Sequence, residues 1–174
     1  MARIRRTKTK MNNGAGKIAH IKTTIDGITF DSKMESEYYK KLKADKEAGL
    51  ITDFELQPSF VLQEKFIIVE GKVIYGDNPE FNKIKRKTKA PTISAIKYTA
   101  DFKVYHLDGS IEIIDTKGKS TADFEIKRKM FMAKYGQPLS VIIQHKDEWV
   151  DFYENRKRIN AAKRLKKKEE KESK

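Results

Sequence analysis

Tyr98-Thr99-Ala100-Asp101-Phe102-Lys103-Val104-Tyr105-His106-Leu107-Asp108-Gly109-Ser110-Ile111-Glu112-Ile113-Ile114-Asp115-Thr116-Lys117-Gly118 is the stretch whose reading decides the fold. Residues 96–106 and 111–116 are dominated by β-branched and aromatic side chains, and Asp108-Gly109 between them is a turn signal, so the two read as a hairpin. Acids are poorly explained by such strands. Asp101 interrupts the first, and Asp115 closes the apolar run Ile111-Glu112-Ile113-Ile114 of the second.

Two loops suit this hairpin. A three-residue loop, Leu107-Asp108-Gly109 with Gly109 left-handed, pairs His106 with Ser110 and sets Asp101 opposite Asp115. A two-residue Asp108-Gly109 turn pairs Phe102 with Asp115 and separates the acids. In the first register two carboxylates share a face and repel unless a cation lies between them. Lys117, two residues after Asp115, emerges on that same face. Hard oxygen ligands of this kind hold Mg²⁺ or Mn²⁺. The ion polarises a phosphate and acidifies a water, and an ammonium offsets developing charge.

Working outward, Lys117-Gly118-Lys119-Ser120 turns into a helix over 121–134, with Phe124, Phe131 and Tyr135 on one side. Leu139-Ser140-Val141-Ile142-Ile143 reads as a buried strand, and residues 149–165 as a last helix. Upstream, residues 21–25 and 28–30 flank Asp26-Gly27 as a tight hairpin. Ser32-Lys33-Met34-Glu35 is a capping-box pattern opening a helix to about residue 48, with Gly49 just past its end. Glu35 shares the inward face with Tyr39 and Leu42, whereas Glu37 falls on the outer face. The capping box gives the Glu35 carboxylate a structural use as well as a catalytic one. Residues 54–62 and 66–75 read as strands broken by Pro58 and by Glu70-Gly71. Residues 76–91 lack periodicity, and the segment 76–95 reads as a basic loop insertion. The order β-β-α-β-β-loop-β-β-α-β-α gives an α/β fold, a mixed sheet with helices packed on it.

The net charge of +13 sits at the ends. Residues 1–22 carry seven Lys/Arg and no acids, and residues 155–174 carry ten Lys/Arg against three Glu, which leaves −1 for the stretch between. Residues 1–20 therefore read as a basic disordered arm, 21–154 as one domain, and 155–174 as a basic helical or disordered tail. Basic arms on a near-neutral domain suit phosphate backbones. The internal cluster Lys83, Lys85, Arg86, Lys87 and Lys89 is a further DNA-contact candidate, with Lys119 before a helix N-terminus and Lys127 and Lys129 on that helix. There is no cysteine, which excludes disulfides and thiolate zinc sites, and His20, His106 and His145 lack metal-site spacing. The absence of an apolar run of membrane length and of a secretory signal makes a cytoplasmic setting the expectation.

Asp101 with Asp115-Thr116-Lys117, preceded by a helix bearing Glu35, resembles the PD-(D/E)xK nuclease superfamily. The strings Phe30-Asp31-Ser32-Lys33-Met34-Glu35-Ser36-Glu37-Tyr38-Tyr39, Glu55-Leu56-Gln57-Pro58, Tyr98-Thr99-Ala100-Asp101-Phe102 and Asp115-Thr116-Lys117-Gly118 are similar to small phage and prophage members of it, which are Holliday-junction-resolvase-like endonucleases. The resemblance spans about residues 21–145. It implies a restriction-endonuclease-like core and Mg²⁺- or Mn²⁺-dependent hydrolysis of branched DNA in phage recombination or replication, inside a bacterial host cell. It further implies metal ligation by Asp101, Asp115 and the Thr116 carbonyl, completed by Glu35. Lys117 then orients the attacking water and stabilises the transition state. Symmetric junction cleavage calls for a homodimer. The sequence departs from the superfamily in having Ala100 where its name has proline, and in a longer, more basic 63–95 segment. The alternatives are a restriction, repair or transposition endonuclease on the same scaffold, or a non-catalytic basic DNA-binding module.

Overall fold

The structure is a computed structural model that describes residues 22–172. The arm expected over residues 1–20 lies outside the described residues. In chain order the elements are β1 (Thr23–Ile25), β2 (Ile28–Phe30), α1 (Lys33–Glu47), β3 (Ile51–Leu56), β4 (Ser59–Gln63), β5 (Phe66–Val69), β6 (Lys72–Tyr75), α2 (Phe81–Thr88), β7 (Ile96–Thr99), β8 (Phe102–His106), β9 (Ile111–Thr116), α3 (Ala122–Tyr135), β10 (Ser140–His145), β11 (Glu148–Asp151) and α4 (Phe152–Glu172).

The fold is mixed α/β. Its centre is a five-stranded sheet in the order β11-β10-β9-β8-β3, in which β9 and β10 are parallel and the other neighbours antiparallel. The parallel pair is joined through α3, as a crossover requires. Alternation along β9 sends Ile113 to one face and Ile114 to the other. Ile113 joins Val141, Ala100, Tyr98, Phe124 and Phe131 in the core beneath α3. Ile114 joins Phe102, Val104, Tyr38, Tyr39 and Leu42 in the core beneath α1. The sheet thus separates two apolar layers, and each helix contributes one apolar face.

Local signals set the ends of these helices. Ser32 caps α1 by accepting the Glu35 N–H at 3.0 Å, and Thr121 caps α3 by accepting the Phe124 N–H at 3.2 Å. Gly49 and Gly136, both left-handed, close the two helices.

Three features differ from the sequence expectations. The 76–95 insertion is not all loop: α2 forms within it, anchored by buried Phe81, whose ring lies 5.4 Å from the Lys65 ammonium. Eight residues with Phe81 and Ile84 as the apolar pair are too few for a visible helical period. The expected strand over 96–106 is two strands in different sheets, because β7 pairs with β4 while β8 pairs with β3 and β9. The expected helix over 149–165 starts at Phe152. Trp149 lies in the edge strand β11, which returns from β10 through Lys146-Asp147, a turn without the usual glycine. The C-terminal tail is helical throughout its described part.

Both changes of sheet occur at one place. Gln57, left-handed with φ 49°, donates its N–H to the Asp101 carbonyl at 2.9 Å, and the Ala100 N–H donates to the Pro58 carbonyl at 3.1 Å. The chain leaves the central sheet at Gln57-Pro58 and re-enters it at Ala100-Asp101, and the two breaks brace each other. A non-glycine residue in the left-handed region costs on the order of 1–2 kcal/mol, so the kink concentrates backbone strain next to Asp101.

Candidate functional site

The β8–β9 ladder runs from Tyr105 opposite Ile111 to Phe102 opposite Ile114. Beyond the other end, His106 N–H bonds to the Ser110 carbonyl at 2.9 Å and Gly109 has φ 82°. The three-residue loop therefore forms. The paired positions end at Phe102 opposite Ile114, and the Asp101 N–H also donates to the Ile114 carbonyl at 3.1 Å, an irregular end of the ladder that leaves Asp101 close enough to Asp115 for their charges to act on each other. The Thr116 N–H, which a continued ladder would give to residue 100, is taken by Asp101 Oδ2 at 2.7 Å, and the Thr116 hydroxyl donates to the same oxygen at 2.7 Å.

Asp115 is 2% exposed, on the side of the sheet under α3. Its Oδ2 accepts the Tyr98 hydroxyl at 2.6 Å. Lys117 Nζ stands 2.8 Å from Oδ1 and 4.3 Å from the centre of the Phe124 ring. That ion pair falls outside hydrogen-bond geometry, so Oδ1 is a buried carboxylate oxygen with no hydrogen-bond donor among the described residues. A surface Asp-x-Lys pair would be solvated on both sides, and this one is not.

Asp101 is thus anchored through one oxygen by Thr116 and Asp115 through one oxygen by Tyr98, and the other oxygen of Asp115 is buried with no hydrogen-bond partner among the described residues. Burial, and next the Asp115 charge, push the Asp101 carboxyl up to about 7 against the opposing pull of Thr116. Two anions forced together away from water favour either a proton or a cation between them. A divalent ion fits that need, since Mg²⁺ is held by one or two carboxylates with water and substrate oxygens filling its octahedron. Among the described residues no three His, Asp or Glu side chains are grouped closely enough to hold a metal by themselves.

Glu35 is brought near without joining the pair. It is 5% exposed, and burial raises its carboxyl above the ordinary range. Its Oε1 lies 3.5 Å from Gln57 Nε2, and the charges of Glu35 and Asp101 bear on each other. Ser32 supplies its half of the capping box, and the Glu35 carboxylate accepts hydrogen bonds from the Asp31 backbone, just before the cap, and from Gln57. The first turn of α1 also borders the loop after Lys117, since a β-carbon at Gly118 would stand 3.7 Å from the Met34 methyl.

The structure brings Asp101, Asp115, Thr116 and Lys117 together and sets Glu35 beside them. The basic candidates are distributed differently. Lys83, Lys85, Arg86, Lys87 and Lys89 are exposed along α2 and at its C-cap, and Lys83 is paired with Glu80. Lys119 is exposed beside the site, Lys129 is exposed on α3, and Lys127 is paired with Asp123 at 3.0 Å. Three contributors were not singled out from sequence: the Tyr98 hydroxyl, the Thr116 side chain and Gln57. All three lie in the strings that carry the family resemblance, but side chains that steer an acid have no spacing signature of their own.

A family model described as "Protein of unknown function (DUF1064)" matches residues 15–148. The chain belongs to this family. Neither a curated protein nor a solved structure matches the chain. The matched span of this DUF1064 chain contains Glu35, Gln57, Tyr98, Asp101, Asp115, Thr116 and Lys117, and ends before α4. Among the described residues no helix is long and apolar enough to cross a membrane.

Proposed function

We propose that this DUF1064 protein is a Mg²⁺- or Mn²⁺-dependent endodeoxyribonuclease with a restriction-endonuclease-like core of the PD-(D/E)xK type, acting on branched or otherwise structured DNA. One observation carries the reading. Two neighbouring carboxylates, Asp101 held by Thr116 and Asp115 held by Tyr98, lie together, and the Lys117 ammonium stands 2.8 Å from the buried Asp115 oxygen that has no hydrogen-bond partner among the described residues.

When bound, the cation would supply Lewis acidity towards the phosphate and an acidified water as nucleophile. Asp101 and Asp115 would hold it, with the Thr116 carbonyl and Glu35 completing the set that the superfamily resemblance implies. The chain's own contributions follow from the geometry. Tyr98 and Thr116 fix the rotation of the two carboxylates, as outer partners of metal ligands do. Burial and the Asp115 charge push the Asp101 carboxyl up to about 7, so alkaline solution favours the ionised form of Asp101 that binds a cation. Lys117, seated over the Phe124 ring, points its ammonium at Asp115 Oδ1 and would offset charge that builds on the phosphate.

A second reading, a DNA-binding module without catalysis, draws on the Lys117–Asp115 ion pair, which neutralises Asp115 without any metal. Supercoiled plasmid, a four-way junction and linear duplex, each incubated with and without Mg²⁺, separate the two. The nuclease reading predicts Mg²⁺-dependent cutting by the wild type and none by Asp115→Ala. Binding without cutting by the wild type supports the module, and equal cutting of linear duplex and junction removes the branched substrate.

A further inference from the structure

The loop after Lys117 faces a cleft of about 360 Å³ whose opposite wall is the start of α4. On that wall Phe152, Asn155, Arg156, Ile159, Asn160 and Lys163 recur at helical spacing, so a single face of the helix lines the cleft. The loop side contributes Gly118, Lys119 and Ser120.

Its charge is one-sided. Lys119, Arg156 and Lys163 are exposed, none has an ion-pair partner among the described residues, and no acid lines the cleft. The nearby acid, Glu125, is already committed: it accepts the Ser120 hydroxyl at 2.5 Å and the Tyr153 hydroxyl at 2.7 Å, and pairs with Arg128 at 3.2 Å. The Arg128 guanidinium also covers the Tyr153 ring at 4.6 Å. This network ties the loop to the root of α4, while Phe152 is buried in the core. The cleft is therefore a fixed feature and not a chance gap beside a loose tail.

We propose that this cleft holds the sugar-phosphate backbone of DNA as it leaves Lys117, with Lys119, Arg156 and Lys163 as its phosphate contacts and α4 as the wall that guides it. From Arg156 to Lys163 the helix rises about 10 Å, which matches roughly three nucleotides of one strand. Uncompensated cations beside a site for phosphodiester chemistry fit a polyanion, and the side-chain amides of Asn155 and Asn160 add neutral donors to phosphate oxygens. The same face continues beyond the cleft into Lys166 and Lys167. The inference rests on the nuclease reading for its direction, but DNA binding in the cleft is measured separately from cutting.

The test is fluorescence anisotropy of a labelled DNA oligonucleotide with the full chain in EDTA, across a range of salt. The pair Arg156→Glu/Lys163→Glu is compared with a charge-matched pair outside the cleft, Lys72→Glu/Lys97→Glu, and with the conservative Arg156→Lys/Lys163→Arg. All of these positions are exposed, and thermal melts check that each variant folds. The expected result is at least a tenfold loss of affinity and a log–log salt slope shallower by about 1.4–1.8 for the cleft reversal. The control pair should stay within threefold and the conservative pair near wild type. Equal losses in the two reversal pairs, or an unchanged slope in the cleft pair, overturn the cleft. So does binding of anionic phospholipid vesicles, but not of DNA, through the same residues. If the wild type never cuts DNA yet the cleft pair alone loses binding, the nuclease reading fails and the cleft stands. If the wild type cuts and the cleft pair binds and cuts normally, the reverse holds.

Discussion

Asp101 and Asp115 lie close together where the β8–β9 ladder ends, and the Thr116 N–H that should extend the ladder is spent on the Asp101 carboxylate instead. A sheet that gives up a ladder bond to hold one acid beside another is storing unfavourable electrostatics in its interior. The account expects that cost to be visible without metal and removed with it.

The pH dependence of stability follows from Asp101, whose carboxyl in the folded protein is raised to about 7 by burial and by Asp115. The unfolded side chain titrates near 3.9. Between these values the folded state binds more protons than the unfolded one, so stability falls as pH rises from about 4 to 7. Melting in EDTA should show this slope from Asp101, and Asp101→Asn should flatten it. At pH 8 the same variant should melt higher than wild type by a few degrees, at about 2–4 °C per kcal/mol for a domain of this size. A lower midpoint would refute the stored repulsion.

Divalent-ion affinity should run the other way, rising with pH through about 7 as Asp101 loses its proton. Calorimetric titration with Mn²⁺ at pH 6 and pH 8 measures it. PH-independent binding would place the ion elsewhere.

Lys117→Gln removes the ammonium but neither acid. Cleavage should fall by roughly 10²–10³, the usual loss of a single transition-state charge stabiliser. Mn²⁺ affinity should be kept or improved, because the competing cation 2.8 Å from Asp115 is gone. Loss of metal binding in this variant would make Lys117 structural.

Tyr98→Phe removes the one hydrogen bond that the Asp115 carboxylate accepts among the described residues. Leaving a buried charged acceptor unpaired costs about 1–3 kcal/mol, so the variant should unfold at lower denaturant. Activity should drop by about 10–100-fold through misorientation of the acid. A variant as stable and as active as wild type would show that Asp115 needs no steering.

The hairpin, both capped long helices and the buried strand β10 were legible because each rests on local signals: Ser32, Thr121, Gly109 and the apolar run over 139–143. The three-residue loop was one of two open to the sequence, and the left-handed Gly109 with the His106–Ser110 pairing decides it. The division of 96–106 between two sheets was hidden because its cause lies in the chain 43 residues earlier, at Gln57-Pro58, and no local pattern at Ala100 reports it. Trp149 read as helical because Lys146-Asp147 lacks the usual glycine of a tight hairpin, although Lys146 takes the left-handed conformation that such a turn needs. Tyr98 and Thr116 fill ordinary strand positions, and only the folded register reveals which oxygen each one holds.

The most direct test of the central claim is a crystal structure of the wild-type protein grown with Mn²⁺ at pH 8, read from the anomalous signal. The account predicts one strong peak at about 2.0–2.3 Å from a carboxylate oxygen of both Asp101 and Asp115, with Lys117 displaced from Oδ1. No peak at this position, with Lys117 still resting on Asp115, would contradict it.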